Sequence, residues 1–235
     1  MANKTKRLTI HLTNREQIWA FFYLLFSLVL LPELLAVMNG YLPSPLGKVW
    51  INFLYFAINF LAVIWIFGGF FQRSLIYAGQ HIGDFLLAVV AGFVAYWTCT
   101  WGLSWVFGQY FPDFSNLNDG SITGMVGTNF TVMFISTVIL VPVAEESLHR
   151  GLIFGFLYPK HHAIAYSVST AFFSLVHILG YVGLYSPLHL VLAFLQYVPA
   201  GLCLAWAYRK SGSIFAPMLM HAVINAMGMF AQREH

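Results

Sequence analysis

IWAFFYLLFSLVLLPELLAVM, residues 18–38, is an almost unbroken apolar run. At about 1.5 Å of rise per helical residue, roughly 20 such residues cross the ~30 Å hydrocarbon layer of a bilayer. Its one ionisable group, Glu33, sits near the end of the run, where an interfacial position suffices. The run is longer than the core of a signal peptide and no A-x-A cleavage site follows it, so it reads as a retained first helix. Outward from it the pattern repeats, with apolar stretches at 49–71, 84–107, 125–157, 163–180, 187–208 and 213–231. None shows the alternation of a transmembrane barrel strand. The expected fold is therefore all-α, a polytopic membrane helical bundle of about seven transmembrane helices. The count rises to eight if the overlong fourth run divides, and Pro142 lies within it to kink or split the helix.

Composition supports this. Of 235 residues, 60% are hydrophobic, 18% are aromatic and 8% are charged, against about 25% charged in a typical soluble domain. Eleven Lys/Arg and eight Asp/Glu cannot cover a soluble surface. A secreted domain, a nucleic-acid binder and a cytosolic enzyme are excluded. Cys99 and Cys203 stand far apart inside apolar runs with no CxxC pair, which excludes a zinc ribbon or redox motif and predicts two buried small side chains. No repeat or linker divides the chain. One structural domain is expected, with a basic cytoplasmic N-terminus over 1–17, N-terminal transmembrane helices over 18–124 and a motif-bearing core over 125–231.

Charge orients the bundle. With the N-terminus inside and seven spans, the cytoplasmic side carries Lys4, Lys6, Arg7, Arg15, Arg73, Arg150, Lys160, Arg209 and Lys210, against Lys48 and Arg233 outside. Basic residues concentrate on the cytoplasmic side of membrane proteins, so this split favours a cytoplasmic N-terminus. The loop from Gln109 to Thr123 has Asp113 and Asp119 but no basic residue, in agreement.

Ionisable side chains inside hydrocarbon cost about 2.5–3.5 kcal/mol each on insertion scales, which makes any that remain there functional candidates. Three clusters qualify. Glu145-Glu146-Ser147-Leu148-His149-Arg150 places Glu146 and Arg150 four apart on a helix, the favourable order for an ion pair. Glu145 points about 100° away, free for chemistry; the alternative is a solvated helix end. Phe173-x-x-x-His177 lies deep in the fifth run, where a satisfied core histidine is the plainer reading. His221-x-x-x-Asn225 brings an imidazole and a carboxamide to one helix face, as interhelical glue also would. Depth tests their convergence. If the fourth helix continues to about Tyr158, Glu145 lies roughly 20 Å, His177 roughly 22 Å, and His221 and Asn225 roughly 12 and 18 Å from the cytoplasmic side. All four can then share one level.

Taken in order, E-E-x-x-x-R, F-x-x-x-H and H-x-x-x-N in a multi-span chain resemble the CPBP family of intramembrane proteases. That family, also called ABI, joins CAAX prenyl endopeptidases to bacteriocin-processing and self-immunity proteins. The resemblance covers roughly Met125 to Met229 and makes 125–231 the catalytic core. It implies an intramembrane endopeptidase of CAAX or bacteriocin/pheromone-leader type in a bacterial plasma membrane, acting on a membrane-associated peptide or protein. Glu145 is then the base that activates water with His177, while His221 and Asn225 stabilise the oxyanion. Glu146, Arg150 and Phe173 support them. His149 departs from the pattern, where Phe is expected before the Arg, and is read as incidental packing or an interfacial group.

Glu145, His177 and His221 are also a set that zinc accepts in hydrolases. Yet no H-E-x-x-H is present, and a glutamate base needs no metal; the reading leans to metal-independent chemistry, with zinc as the alternative. Two other classes compete. A non-catalytic immunity or partner-binding protein keeps the fold without turnover. A transporter places polar groups at paired broken helices in two repeated halves, whereas here they lie in the last half.

Overall fold

The structure is a computed structural model that describes Leu8 and residues 10–233, the side chains of residues 118–121 excepted. The expectations on Lys4, Lys6, Arg7 and the Asp119 side chain lie outside the described residues. Eight helices, and no strand, are found among those described: α1 (Asn14–Gly40), α2 (Lys48–Gln80), α3 (Ile82–Tyr110), α4 (Leu117–Thr128), α5 (Phe130–Leu157), α6 (His162–Ile178), α7 (Pro187–Ser211) and α8 (Phe215–Arg233). Together they form a polytopic helical bundle. Six of them, α1, α2, α3, α5, α6 and α7, are long and apolar enough to cross a membrane. The run expected as a seventh span forms α8, in which the polar His221 and Asn225 dilute the apolar character.

Local sequence explains the helix ends. Thr13 caps α1, and Glu16 completes a reciprocal capping box that satisfies otherwise orphaned backbone donors. Asn39 closes the α1–α2 turn by donating to the Leu46 carbonyl and accepting from the Leu46 N–H. The overlong fourth run breaks at Asn129, not at Pro142. The Asn129 side chain accepts the Val132 N–H at 3.2 Å and so starts α5, while the residues before it form α4. Helix α5 then runs through Pro142 to Leu157. It widens into π-type turns over Ile135–Leu140 and Ser147–Phe154, a device that absorbs the backbone irregularity proline introduces and recurs at functional sites. Gly212 ends α7 in the left-handed region at φ 72°, where a Cβ would also collide with Tyr77 at 2.5 Å.

Three interhelical contacts mark one end of the bundle. Arg73 meets Glu16 at 2.7 Å, Lys210 meets Asp84 at 3.2 Å, and Ser213 donates to the Ser74 carbonyl. The ends of α1, α2, α3, α7 and α8 therefore meet there. That basic end is filled by the main apolar core, which includes Leu12, Phe67, Phe70, Phe154, Tyr158, Tyr208 and Ile214. Elsewhere large apolar side chains face outward, among them Trp97, Trp101 and Trp105 along one side of α3, as a lipid-facing surface requires. Cys99 is exposed on that helix too; expected as buried, it needs no protein partner where the solvent is lipid.

Candidate active site

The α-helical segment of α5 between its two π-type stretches carries the two glutamates in opposite environments. Glu146 is fully buried; its Oε1 accepts from Arg150 Nη1 at 2.8 Å and from His221 Nδ1 at 2.8 Å. One carboxylate thus ties α5 to itself and to α8. Arg150, also fully buried, donates from Nη2 to the Gly201 carbonyl of α7 at 3.2 Å and lies 4.5 Å above the Phe173 ring of α6. Four helices are therefore cross-linked through one ion pair. Arg150 was expected among the cytoplasmic charges. In the structure its guanidinium is an interior strut with no exposed surface, not a solvated charge.

Glu145 is partly open. It faces a cavity of about 270 Å³ lined by α1, α2, α5 and α6, in which Tyr55, Asn59, His149 and His177 are its polar neighbours and Leu24, Leu28, Phe56 and Phe172 supply apolar wall. Its Oε2 has no hydrogen-bond partner and lies 4.0 Å from His177 Nε2. His177 Nδ1 sits 2.7 Å from the Phe173 carbonyl. A carbonyl only accepts, so Nδ1 carries the proton and Nε2 presents a lone pair toward Glu145. Tyr197 stacks on the imidazole with ring centroids 4.3 Å apart and fixes its plane.

A second, smaller cavity of about 140 Å³ lies on the other side of His177. It is lined by His177, His221 and Asn225 together with Tyr96, Thr100, Asn116, Gln196 and Tyr197. Asn225 donates one Nδ2 hydrogen to the Thr137 carbonyl at 2.8 Å, leaving the other available. The four side chains singled out in sequence thus gather around His177, the one of them that lines both cavities. Phe173 is the hub: its ring lies within 4.5 Å of His177, 5.3 Å of His149 and 6.1 Å of His221.

Sequence reasoning missed the bond from Glu146 to His221, since no spacing rule links residues on separate helices. It also missed Tyr197, which stands in no motif. His149, read as incidental packing or an interfacial group, is buried against Phe172 and Phe173 and lines the Glu145 cavity.

The arrangement does not fit a metal centre. Among the described residues no three His, Cys, Asp or Glu side chains converge as a ligand set.

The chain is thus an all-helical membrane bundle with a carboxylate–imidazole pair in its interior. The comparison with known families is specific: residues 127–227 match the family described as type II CAAX prenyl endopeptidase Rce1-like, and the chain carries a domain of that family there. UPF0177 protein YxdF of Lactococcus lactis subsp. lactis (strain IL1403) is 31% identical over 90 residues, 38% of this chain and 44% of the relative. The aligned part thus spans less than half the relative's length. No solved structure matches the chain.

Proposed function

We propose that the protein is an intramembrane endopeptidase that hydrolyses a peptide bond in a membrane-associated protein or peptide with a water activated by Glu145. The observation that carries this reading is the pairing of an unpartnered Glu145 Oε2 with His177 Nε2 at 4.0 Å beside a cavity open to a substrate. A water between them donates one hydrogen to each and turns its lone pair toward the scissile carbonyl. Glu145 takes a proton as the oxygen–carbon bond forms, and returns it to the leaving nitrogen as the carbon–nitrogen bond breaks. The carbonyl oxygen, now negative, accepts the free Nδ2 hydrogen of Asn225. His221, whose ring the Glu146 carboxylate holds at Nδ1, joins Asn225 in stabilising that oxygen.

The substrate side follows from the enclosure. Mostly apolar walls around Glu145 suit a lipid-anchored or membrane-inserted peptide. The basic end, with Arg73, Lys160, Arg209 and Lys210, is read as cytoplasmic by the distribution of charge, with Lys48 on the opposite side. The test is cleavage of a library of membrane-tethered fluorogenic peptides by the purified protein in nanodiscs. Cleavage by the wild type and none by Glu145→Gln supports the reading; equal cleavage by both refutes it.

A further inference from the structure

His149 stands where the family resemblance leads one to expect phenylalanine, and its imidazole has half of its hydrogen-bonding capacity unused. Nδ1 lies 2.7 Å from the Glu145 backbone carbonyl, an acceptor only, so Nδ1 carries the proton and Nε2 is a lone-pair acceptor. Nε2 is buried and has no partner, while the ring lines the cavity that holds Glu145 and His177. The ring rests against Phe172 and Phe173, with centroids 5.5 and 5.3 Å away. With Nδ1 committed to the Glu145 carbonyl, Nε2 is the position at which the ring can accept.

The residues that line the cavity then offer three acceptors, Glu145 Oε2, His177 Nε2 and His149 Nε2. One water has two hydrogens, and the reaction assigns them to Glu145 and His177. A buried acceptor left unmatched is costly, and one that persists beside a site calls for a role there. The partner that arrives is the substrate chain, and the donor a peptide chain offers is its backbone N–H.

We infer that His149 is a substrate-positioning residue, whose Nε2 accepts a backbone N–H of the bound peptide beside the scissile bond. This rests on the peptidase reading above. One hydrogen bond of this kind contributes roughly two- to twelvefold in affinity.

Binding is measured in a Glu145→Gln background in nanodiscs, so that no cleavage intervenes. The probe is the best-cleaved fluorescent peptide of the membrane-tethered library, with a series in which each backbone N–H in turn is methylated. In Glu145→Gln, methylation at one position is expected to weaken binding roughly two- to twelvefold. Adding His149→Phe, which keeps the aromatic volume, should weaken the unmodified peptide equally and abolish sensitivity at that position alone. His149→Gln places an acceptor near the Nε2 position and should restore part of the affinity. Both variants lose the bond to the Glu145 carbonyl, so their difference isolates Nε2.

His149→Phe that leaves peptide affinity and the whole methylation series unchanged overturns the inference, and leaves the peptidase reading standing. A uniform loss across the series, with a lowered melting temperature, also overturns it and makes His149 a packing residue. A library that the wild type does not cleave overturns both.

Discussion

Replacing Glu146 by Gln tests the interior more severely than any other single change. The carboxylate is fully buried and its Oε1 holds both Arg150 and His221 at 2.8 Å. Glutamine preserves the shape and one acceptor, but removes the charge that compensates the Arg150 guanidinium, itself without exposed surface. It also puts an amide NH₂ where Oε2 now has no partner, adding an unmatched donor. Breaking one side of a buried pair in this way costs about 3–5 kcal/mol, because the remaining charge is left in a low-dielectric site. For a chain of this size that lowers the melting temperature by roughly 6–20 °C. The assay is thermal unfolding in nanodiscs, run beside peptide cleavage. The protein that survives should be weakened in catalysis as well, because His221 loses its charged acceptor and is held less firmly. The double variant Glu146→Gln/Arg150→Met removes the stranded charge and should recover most of the stability but not the activity. A Glu146→Gln protein that melts with the wild type, or a double variant no more stable than the single, refutes the claim that the buried ion pair and its cross-links hold this site.

Glu145→Gln touches neither the ion pair nor the core, so it should melt with the wild type while cleavage falls about 10²–10⁴-fold, read in the same two assays. Asn225→Ala should cost about 10²–10³-fold in kcat if its free amide hydrogen meets the oxyanion; an unchanged kcat removes it from the mechanism. Gly201 lets α6 and α7 approach so closely that a Cβ there would sit 2.7 Å from Thr170 Cγ2 and 3.1 Å from its Cα. Gly201→Ala should therefore destabilise by about 1–3 kcal/mol and disturb the carbonyl that Arg150 holds, measured by thermal unfolding. In a Cys99→Ser/Cys203→Ser background, cysteines at Arg73 and Lys160 should resist a membrane-impermeant maleimide in intact cells while one at Lys48 reacts; the opposite labelling reverses the orientation.

Much of this molecule is legible in one dimension, for a physical reason. Lipid as solvent demands long apolar helices with internally satisfied backbones, so the runs at 18–38, 49–71, 84–107, 163–180 and 187–208 mark helices directly. The scarcity of charge made Glu145, Glu146, Arg150, His177, His221 and Asn225 conspicuous, since each polar group inside hydrocarbon has to be explained. Spacing of four within a helix made the Glu146–Arg150 pair readable, because that contact depends only on helical geometry. The break at Asn129 was less legible, since an asparagine cap and a proline kink both relieve an overlong run and only the packing chose between them. What tertiary structure alone decided are the contacts between helices. The sharing of Glu146 between Arg150 and His221, the stacking of Tyr197 on His177, the interior burial of Arg150 and the turning of His149 into the Glu145 cavity all depend on rotation and crossing of separate helices. No periodicity along one strand of sequence encodes those angles; they are set by how side chains such as Phe173 and Gly201 fill or vacate the space between neighbours.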